Sequence, residues 1–283
     1  MNCSPIQSRE SLSNCFKKPE VSVITVCRNS SDTIAKTFDS VLDQQFADME
    51  YIVIDGASTD GTLSIIDDYR DRFTGRGIRM HLTSEPDQGI YDAMNKGIMA
   101  SRGSLIAILN SDDKYEPNAL DKMHQAASDH QEVGIFYGFI RQFYNSQELV
   151  VHRYNYDCIL TDLSAGIHSA AQHPTCFIRR SVYEEIGAYD PSYKLAADYD
   201  FLLRAKKYGI CFFPVDQVIA SFALGGATDT TPMQVRLKER YRAQFTNGLI
   251  DKYYYHKQLR NLRSSPYQKM KKALKTYISI IQK

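Results

Sequence analysis

Four polar segments early in the chain each follow directly on a β-rich run. VSVITV leads into Cys27-Arg28-Asn29, YIVI into Asp55-Gly56-Ala57-Ser58-Thr59-Asp60-Gly61, IRMHLT into Glu85-Pro86-Asp87-Gln88-Gly89, and LIAIL into Asn110-Ser111-Asp112-Asp113. In an open α/β sheet, ligands bind just beyond the carboxyl ends of the strands. So much negative charge at one edge is unfavourable unless a cation or hydrogen-bond donors compensate it. Ordinary turn and helix-capping duty accounts for any one of these loops, but is the weaker explanation for all four. The sharpest feature is Asp112-Asp113. Two adjacent carboxylates at a strand end can hold a hard divalent cation through one side chain, with water and phosphate oxygens completing the shell. Mg²⁺ or Mn²⁺ suits such ligands. Asp-Asp pairs are also common in surface turns, and here the position is what raises the pair above them.

Farther along, Ala197-Asp198-Tyr199-Asp200 opens a predicted helix ending in Leu-Leu-Arg. Asp200 stands four residues before Arg204, the spacing of a stabilising ion pair. Asp198 has no such partner. It is either an N-cap or a carboxylate free to act as a general base. His173 before Pro174 is a candidate ligand contact, set against a structural histidine. Asp92 is a candidate ligand contact or a first-turn helix residue, and Lys96 either reaches phosphate or is solvated. The Tyr253-Tyr254-Tyr255 run fits packing or an interfacial belt.

These residues need a scaffold. Strands near Val21, Tyr51, Ile78, Ser104 and Val133 alternate with predicted helices over Ser31–Gln45, Thr62–Phe73, Tyr91–Ser101 and Pro117–Ser128. That rhythm indicates βαβ units and a mostly parallel sheet. Nearly continuous apolar strands such as VSVITV are expected where both faces are covered. From about Phe139 the rhythm breaks into an irregular antiparallel patch. A helix is predicted over Ser181–Ile186, another from Asp198, short strands over Ile210–Pro214 and Val218–Ala223, and helix from Pro232 onward.

With 283 residues, 43% hydrophobic and 24% charged, the composition is globular and excludes a disordered or fibrous chain. No apolar run approaches the ~20 residues of a membrane span. The first nineteen residues lack the apolar stretch of a signal peptide, so a cytoplasmic location is expected. Six scattered cysteines without a C-x-x-C pair read as reduced thiols. The net charge of +1 hides an asymmetry: nine Lys or Arg and no acid lie between Lys252 and Lys283, leaving 25 basic against 33 acidic residues elsewhere. We expect a polar tail over 1–19, one α/β domain over 20–231 (halves 20–115 and 116–231), and a basic helical extension over 232–283.

In order and spacing, VSVITVCRN, VIDGASTDGT, EPDQGIYDAMNKG, LNSDD, HPTCFIRRSVYEEIGAYDPSY and AADYDFLLR resemble the family-2 glycosyltransferases, inverting enzymes of the GT-A fold. The likeness runs from about Pro19 to Thr228 and is strongest to bacterial enzymes of capsule, exopolysaccharide or O-antigen assembly. It implies that Asp55 bonds the nucleotide base, usually uracil, and that Val26 and Arg28 contact the nucleoside. It implies further that Asp113 ligates Mn²⁺ or Mg²⁺ with Asp112 near the ribose and metal, and that Asp198 is the catalytic base. Two departures stand out. Ala197 occupies a position where many relatives have Glu, and Phe222-Ala223-Leu224-Gly225-Gly226 holds no histidine to complete a metal shell.

The donor implied is a nucleotide-sugar, most readily a UDP-sugar, and the acceptor a saccharide or lipid-linked saccharide. A sugar nucleotidyltransferase would share the architecture, but the first loop lacks the glycines that cradle a triphosphate. A degenerate, non-catalytic binding protein would have lost Asp113 or Asp198, and both are present. Nucleic-acid binding is not expected of the acidic body. In the tail, Met270, Leu274, Tyr277, Ile278 and Ile281 form one apolar stripe flanked by lysines. An amphipathic segment on an anionic membrane has that pattern; so does a stripe packed on protein.

Overall fold

The computed structural model describes residues 18–144, 147–152, 171–223 and 231–264. Strands β1 (Val21–Cys27), β2 (Met49–Asp55), β3 (Arg79–Ser84) and β4 (Leu105–Ile108) alternate with helices α1 (Ile34–Leu42), α2 (Thr62–Gly75) and α3 (Ile90–Ala100). They pair in parallel in the order β3-β2-β1-β4, which brings all four carboxyl ends to one edge. β1, β2 and β4 are buried along their whole length. Their side chains alternate between two apolar layers: Ile24 and Val26 face α3, whereas Val23 and Cys27 face α1 and α2. The strand period of two thus serves both layers from one apolar run.

The sheet continues through β5 (Asp113–Tyr115), β6 (Ile135–Tyr144), β7 (Gln147–His152), β8 (Phe177–Arg179) and β9 (Phe212–Ala223). Helices α4 (Ala119–Asp129), α5 (Arg180–Ile186), α6 (Ala197–Lys207), α7 (Met233–Thr246) and α8 (Lys252–Ser264) complete the described elements. β8 lies antiparallel between β4 and β6, while β6 and β9 run parallel to each other. The fold is therefore α/β with a mixed, mostly parallel sheet.

After the turn carrying Asp112, Asp113 opens the short strand β5, which pairs antiparallel with β9 at Phe222. Two local expectations need correction. The two short strands expected near Ile210 and Val218 are one strand, β9, because Phe212 to Ala223 pairs along the length of β6. Helix α1 begins at Ile34 rather than near Ser31, since Ser30 to Thr33 form a turn with no side-chain cap.

Candidate active site

The loops at the carboxyl edge are sewn together by short polar side chains. Asn29, in the left-handed region at φ 52°, receives Thr59 N at its Oδ1 and donates its own N–H to Ser58 Oγ at 2.7 Å. Ser30 Oγ meets Ser111 Oγ at 2.8 Å and so ties the first loop to the fourth. Asp60 receives Ser31 N and both the N–H and hydroxyl of Thr62. Those bonds, the Thr62 hydroxyl foremost, hold its carboxyl well below the usual range.

Asp55 closes the same rim from below. It is fully buried, and its carboxylate accepts from Ser58 N, the Ser58 and Ser84 hydroxyls and the Cys27 thiol. A direct bond from Asp55 to a base would require one of these donors to give way. Val26 is buried at the end of β1 and Arg28 is exposed on the rim. At Gly56 an added Cβ would meet Asp87 Oδ2 at 2.2 Å and Arg28 Cδ at 3.3 Å, so a side chain there would displace the Asp87 carboxylate. The third loop therefore presses directly on the second.

Asp112 is exposed, whereas Asp113 is 4% exposed and accepts from Asn110 Nδ2 at 3.2 Å. Burial first, and the Asp112 charge second, push the Asp113 carboxyl well above its usual range, against the Asn110 bonds. A divalent cation would answer that charge. Asn110 Oδ1, a buried amide oxygen in the same turn, has no hydrogen-bond partner among the described residues. These hard oxygen donors fit Mg²⁺ or Mn²⁺. Among the described residues no three His, Cys, Asp or Glu side chains gather as a metal cluster. The protein would thus supply few ligands.

The segment bearing this pair is held by α1. Thr37 Oγ1 donates to Asp113 O at 2.8 Å, Ser40 Oγ accepts Tyr115 N at 3.1 Å, and Gln44 Nε2 donates to Glu116 O at 3.1 Å. Thr37 and Ser40 lie on α1 and Gln44 just beyond its end, and all three are buried. Sequence reasoning overlooked them, although polar residues at positions i, i+3 and i+7 interleaved with Phe38 and Val41 were a readable signal.

Asp198 lies in the first turn of α6, half-buried, where it accepts the Tyr91 hydroxyl at 3.2 Å. Burial and then the Asp198 charge push the Tyr91 hydroxyl well up, so it stays protonated and donates. Tyr91 went unnoticed in the sequence because nothing in its local pattern announces a contact 107 residues away. It opens α3 directly after the Asp87 loop, so α3 links the nucleotide-side rim to Asp198.

Behind Asp198 sits a cluster of tyrosines. His173 Nε2 lies 3.2 Å from Tyr189 Oη, and the Tyr91 and Tyr189 rings are 5.7 Å apart. Burial lowers the His173 pKa despite the nearby Asp198 charge, which keeps the ring neutral near pH 7. Asp92 stays in the first turn of α3, accepting Gln88 N at 3.0 Å. Lys96 is engaged by Glu85 at 2.8 Å, by Asp92 at 3.5 Å and by the Pro86 carbonyl. Asn95 ties α3 to Tyr189 through both backbone groups. Asp200 and Arg204 form the ion pair their spacing indicated, at 3.0 Å.

This edge-on site, on a nucleotide-binding type of sheet, agrees with the comparisons to known proteins. A family model described as glycosyl transferase family 2 matches residues 22–187, more than half of the chain, which therefore belongs to that family and is a glycosyltransferase. Asp198 and helices α6 to α8 lie beyond the matched span. The chain is 40% identical over 105 residues to the putative teichuronic acid biosynthesis glycosyltransferase TuaG of Bacillus subtilis, covering 37% of this chain and 40% of that one. Among solved structures it is similar to S. aureus TarS 1–349 in complex with UDP-GlcNAc, with TM-score 0.64, 17% identity, and 87% of this chain and 73% of that one covered. It is also similar to the mannosyltransferase PcManGT of Pyrobaculum calidifontis in complex with GDP-Man and Mn²⁺. There the TM-score is 0.61 and the identity 17%, over 88% of this chain and 71% of that one. At those identities the two structures establish the GT-A fold.

Proposed function

We propose that this chain is a metal-dependent, inverting glycosyltransferase of bacterial surface polysaccharide assembly. It moves a sugar from a nucleotide-sugar, a UDP-sugar first among them, to a hydroxyl of a saccharide or lipid-linked saccharide. One observation carries the reading: a half-buried carboxylate, Asp198, is held by Tyr91 at the start of α6, and a separate carboxylate pair, Asp112 and Asp113, lies on the stitched rim. The bound sugar-nucleotides of TarS and PcManGT support the donor class, and the naming of TuaG supports the acceptor class.

Asp198 takes the proton from the acceptor hydroxyl as its oxygen forms the new bond to the anomeric carbon. The bond from that carbon to the diphosphate oxygen breaks on the opposite face, so configuration inverts. A positioned base of this kind contributes about 10²–10⁴-fold. Asp113, with Asp112 beside it, would hold Mn²⁺ or Mg²⁺, and a bound ion would stabilise negative charge on the leaving diphosphate. Val26 and Arg28 border the nucleoside side, and Asp55 keeps the second loop in place there. His173 and Asp92 flank the sugar and acceptor side. The test is a screen of UDP-, GDP- and dTDP-sugars for Mn²⁺-dependent binding, followed by turnover with lipid-linked acceptors. Binding of one donor class that disappears with chelator is the expected result. Metal-independent binding, or a product that retains the donor's anomeric configuration, would overturn the reading.

A further inference from the structure

Helix α6 begins without a cap of its own: its N-cap residue is Ala196, which makes no side-chain bond. The first helical hydrogen bond is Asp200 N to Ala196 O, so the preceding N–H groups need acceptors from elsewhere. A foreign side chain engages the backbone leading into the helix, up to the N-cap residue itself. Glu239, from α7, accepts Lys194 N at 3.0 and 3.2 Å, Leu195 N at 2.8 Å and Ala196 N at 3.2 Å. A carboxylate at this end also complements the helix dipole.

Elsewhere α7 grips α6 by side chains alone. Gln244 donates to Tyr199 at 3.2 Å and Asn247 to Asp200 at 2.9 Å. Glu239 acts on backbone instead, as does Arg242, which donates to Ser192 O at 3.3 Å; Glu239 holds the stretch that leads directly into Asp198.

We infer that Glu239 is a positioning residue: by capping α6 from α7, it sets the orientation in which Asp198 meets the acceptor hydroxyl. The inference rests on the reading of Asp198 as general base. It assigns α7, outside the span of the family match, a part in catalysis rather than a purely structural one. Shortening or removing the side chain would leave three backbone donors without their acceptor and let the first turn of α6 shift. A displacement of about 1 Å at a reacting group can cost on the order of 10²-fold in rate.

The experiment measures kcat, donor KM and thermal unfolding for Glu239→Ala, Glu239→Asp, Glu239→Gln, Asn247→Ala and Asp198→Asn, and combines Glu239→Ala with Asp198→Asn. Glu239→Ala and Glu239→Asp should lower kcat about tenfold or more with donor KM within about twofold. Glu239→Gln, which keeps an acceptor oxygen at full reach, should recover part of the loss. Asn247→Ala should lower the melting temperature yet keep kcat. In the Asp198→Asn background, Glu239→Ala should bring no further loss, because the group it positions is gone. Four results would overturn the inference: kcat within twofold of wild type for Glu239→Ala, an equal fall in Asn247→Ala, a donor KM that rises with the fall in kcat, or full additivity with Asp198→Asn. Should Glu239→Ala fail to fold, Glu239→Gln carries the same readouts. Full turnover by Asp198→Asn is a separate failure, that of the base assignment, and is read independently of every Glu239 variant.

Discussion

A single carboxylate has opposite consequences on the two sides of this site. In the proposed mechanism, replacing Asp198 with Asn removes the proton acceptor while keeping the shape and the Tyr91 contact. Transfer should fall by about 10²–10⁴-fold, while donor binding, measured by calorimetry, stays within a few-fold. Asp113→Ala should act earlier in the cycle. Its carboxyl is buried and pushed well up by that burial and by Asp112, a cost that a bound cation relieves. Donor binding should weaken, and titrations with and without Mn²⁺ should converge. Equal donor affinity and an unchanged metal dependence would remove Asp113 from the metal site.

At the scale of elements, the rim is as rigid as the helix beneath it. Gln44 is 1% exposed and bridges α1 to Glu116 O at 3.1 Å and to Leu120 N at 3.3 Å, just beyond the Asp112-Asp113 turn. Gln44→Leu keeps the volume but leaves Leu120 N without its acceptor and Glu116 O with only the Ala119 N–H. Each buried unsatisfied group costs about 1–3 kcal/mol. Denaturant unfolding should show a loss in that range. Because Thr37 and Ser40 still anchor β5, the metal dependence of donor binding should survive. A collapse of donor binding would mean that α1 controls the loop more tightly than these bonds indicate.

Two expectations concern the whole molecule. His173 is neutral in the fold because burial lowers its pKa from the ordinary 6.5, and the Asp198 charge only partly opposes this. The unfolded chain therefore binds more protons between the lowered value and 6.5. Stability should be complete above about pH 6.5 and decline as pH falls through that interval. His173→Gln should reduce that slope in melting curves taken from pH 5 to 8, and an unchanged slope would remove His173 as its source. The second expectation concerns the basic end. Helix α8 starts at Lys252, with Tyr253 70% exposed and Tyr254 43% exposed. The apolar stripe of Met270, Leu274, Tyr277, Ile278 and Ile281 lies outside the described residues. Each basic residue near an anionic surface contributes about 1 kcal/mol. Full-length protein should float with anionic but not neutral vesicles, and high salt should release it. Flotation that survives removal of Lys252 to Lys283 would exclude the tail as the anchor.

Strand periodicity and loop chemistry were enough to read the first part of the fold, β1 to β4 with the helices between them, from sequence. Its helices follow its strands locally, and the polar loops fall at strand ends by chain order alone. Asp55, Asp112, Asp113 and Asp198 could be named because each follows a strong local pattern: an apolar run, or a helix start. Tertiary structure decided what those patterns leave open. Asp55 turned out to be engaged not only by its neighbour Ser58 but by Ser84, which reaches it only once β2 and β3 are paired. Asp113 became the first residue of a strand because β9, more than 100 residues away, lies beside it. Tyr91 and Glu239 bracket the start of α6 from two other helices. A side chain that satisfies another element's backbone leaves no periodic trace in its own neighbourhood. Local sequence thus determined which groups are available for chemistry. The order of the strands and the packing of α3, α6 and α7 determined which of them meet.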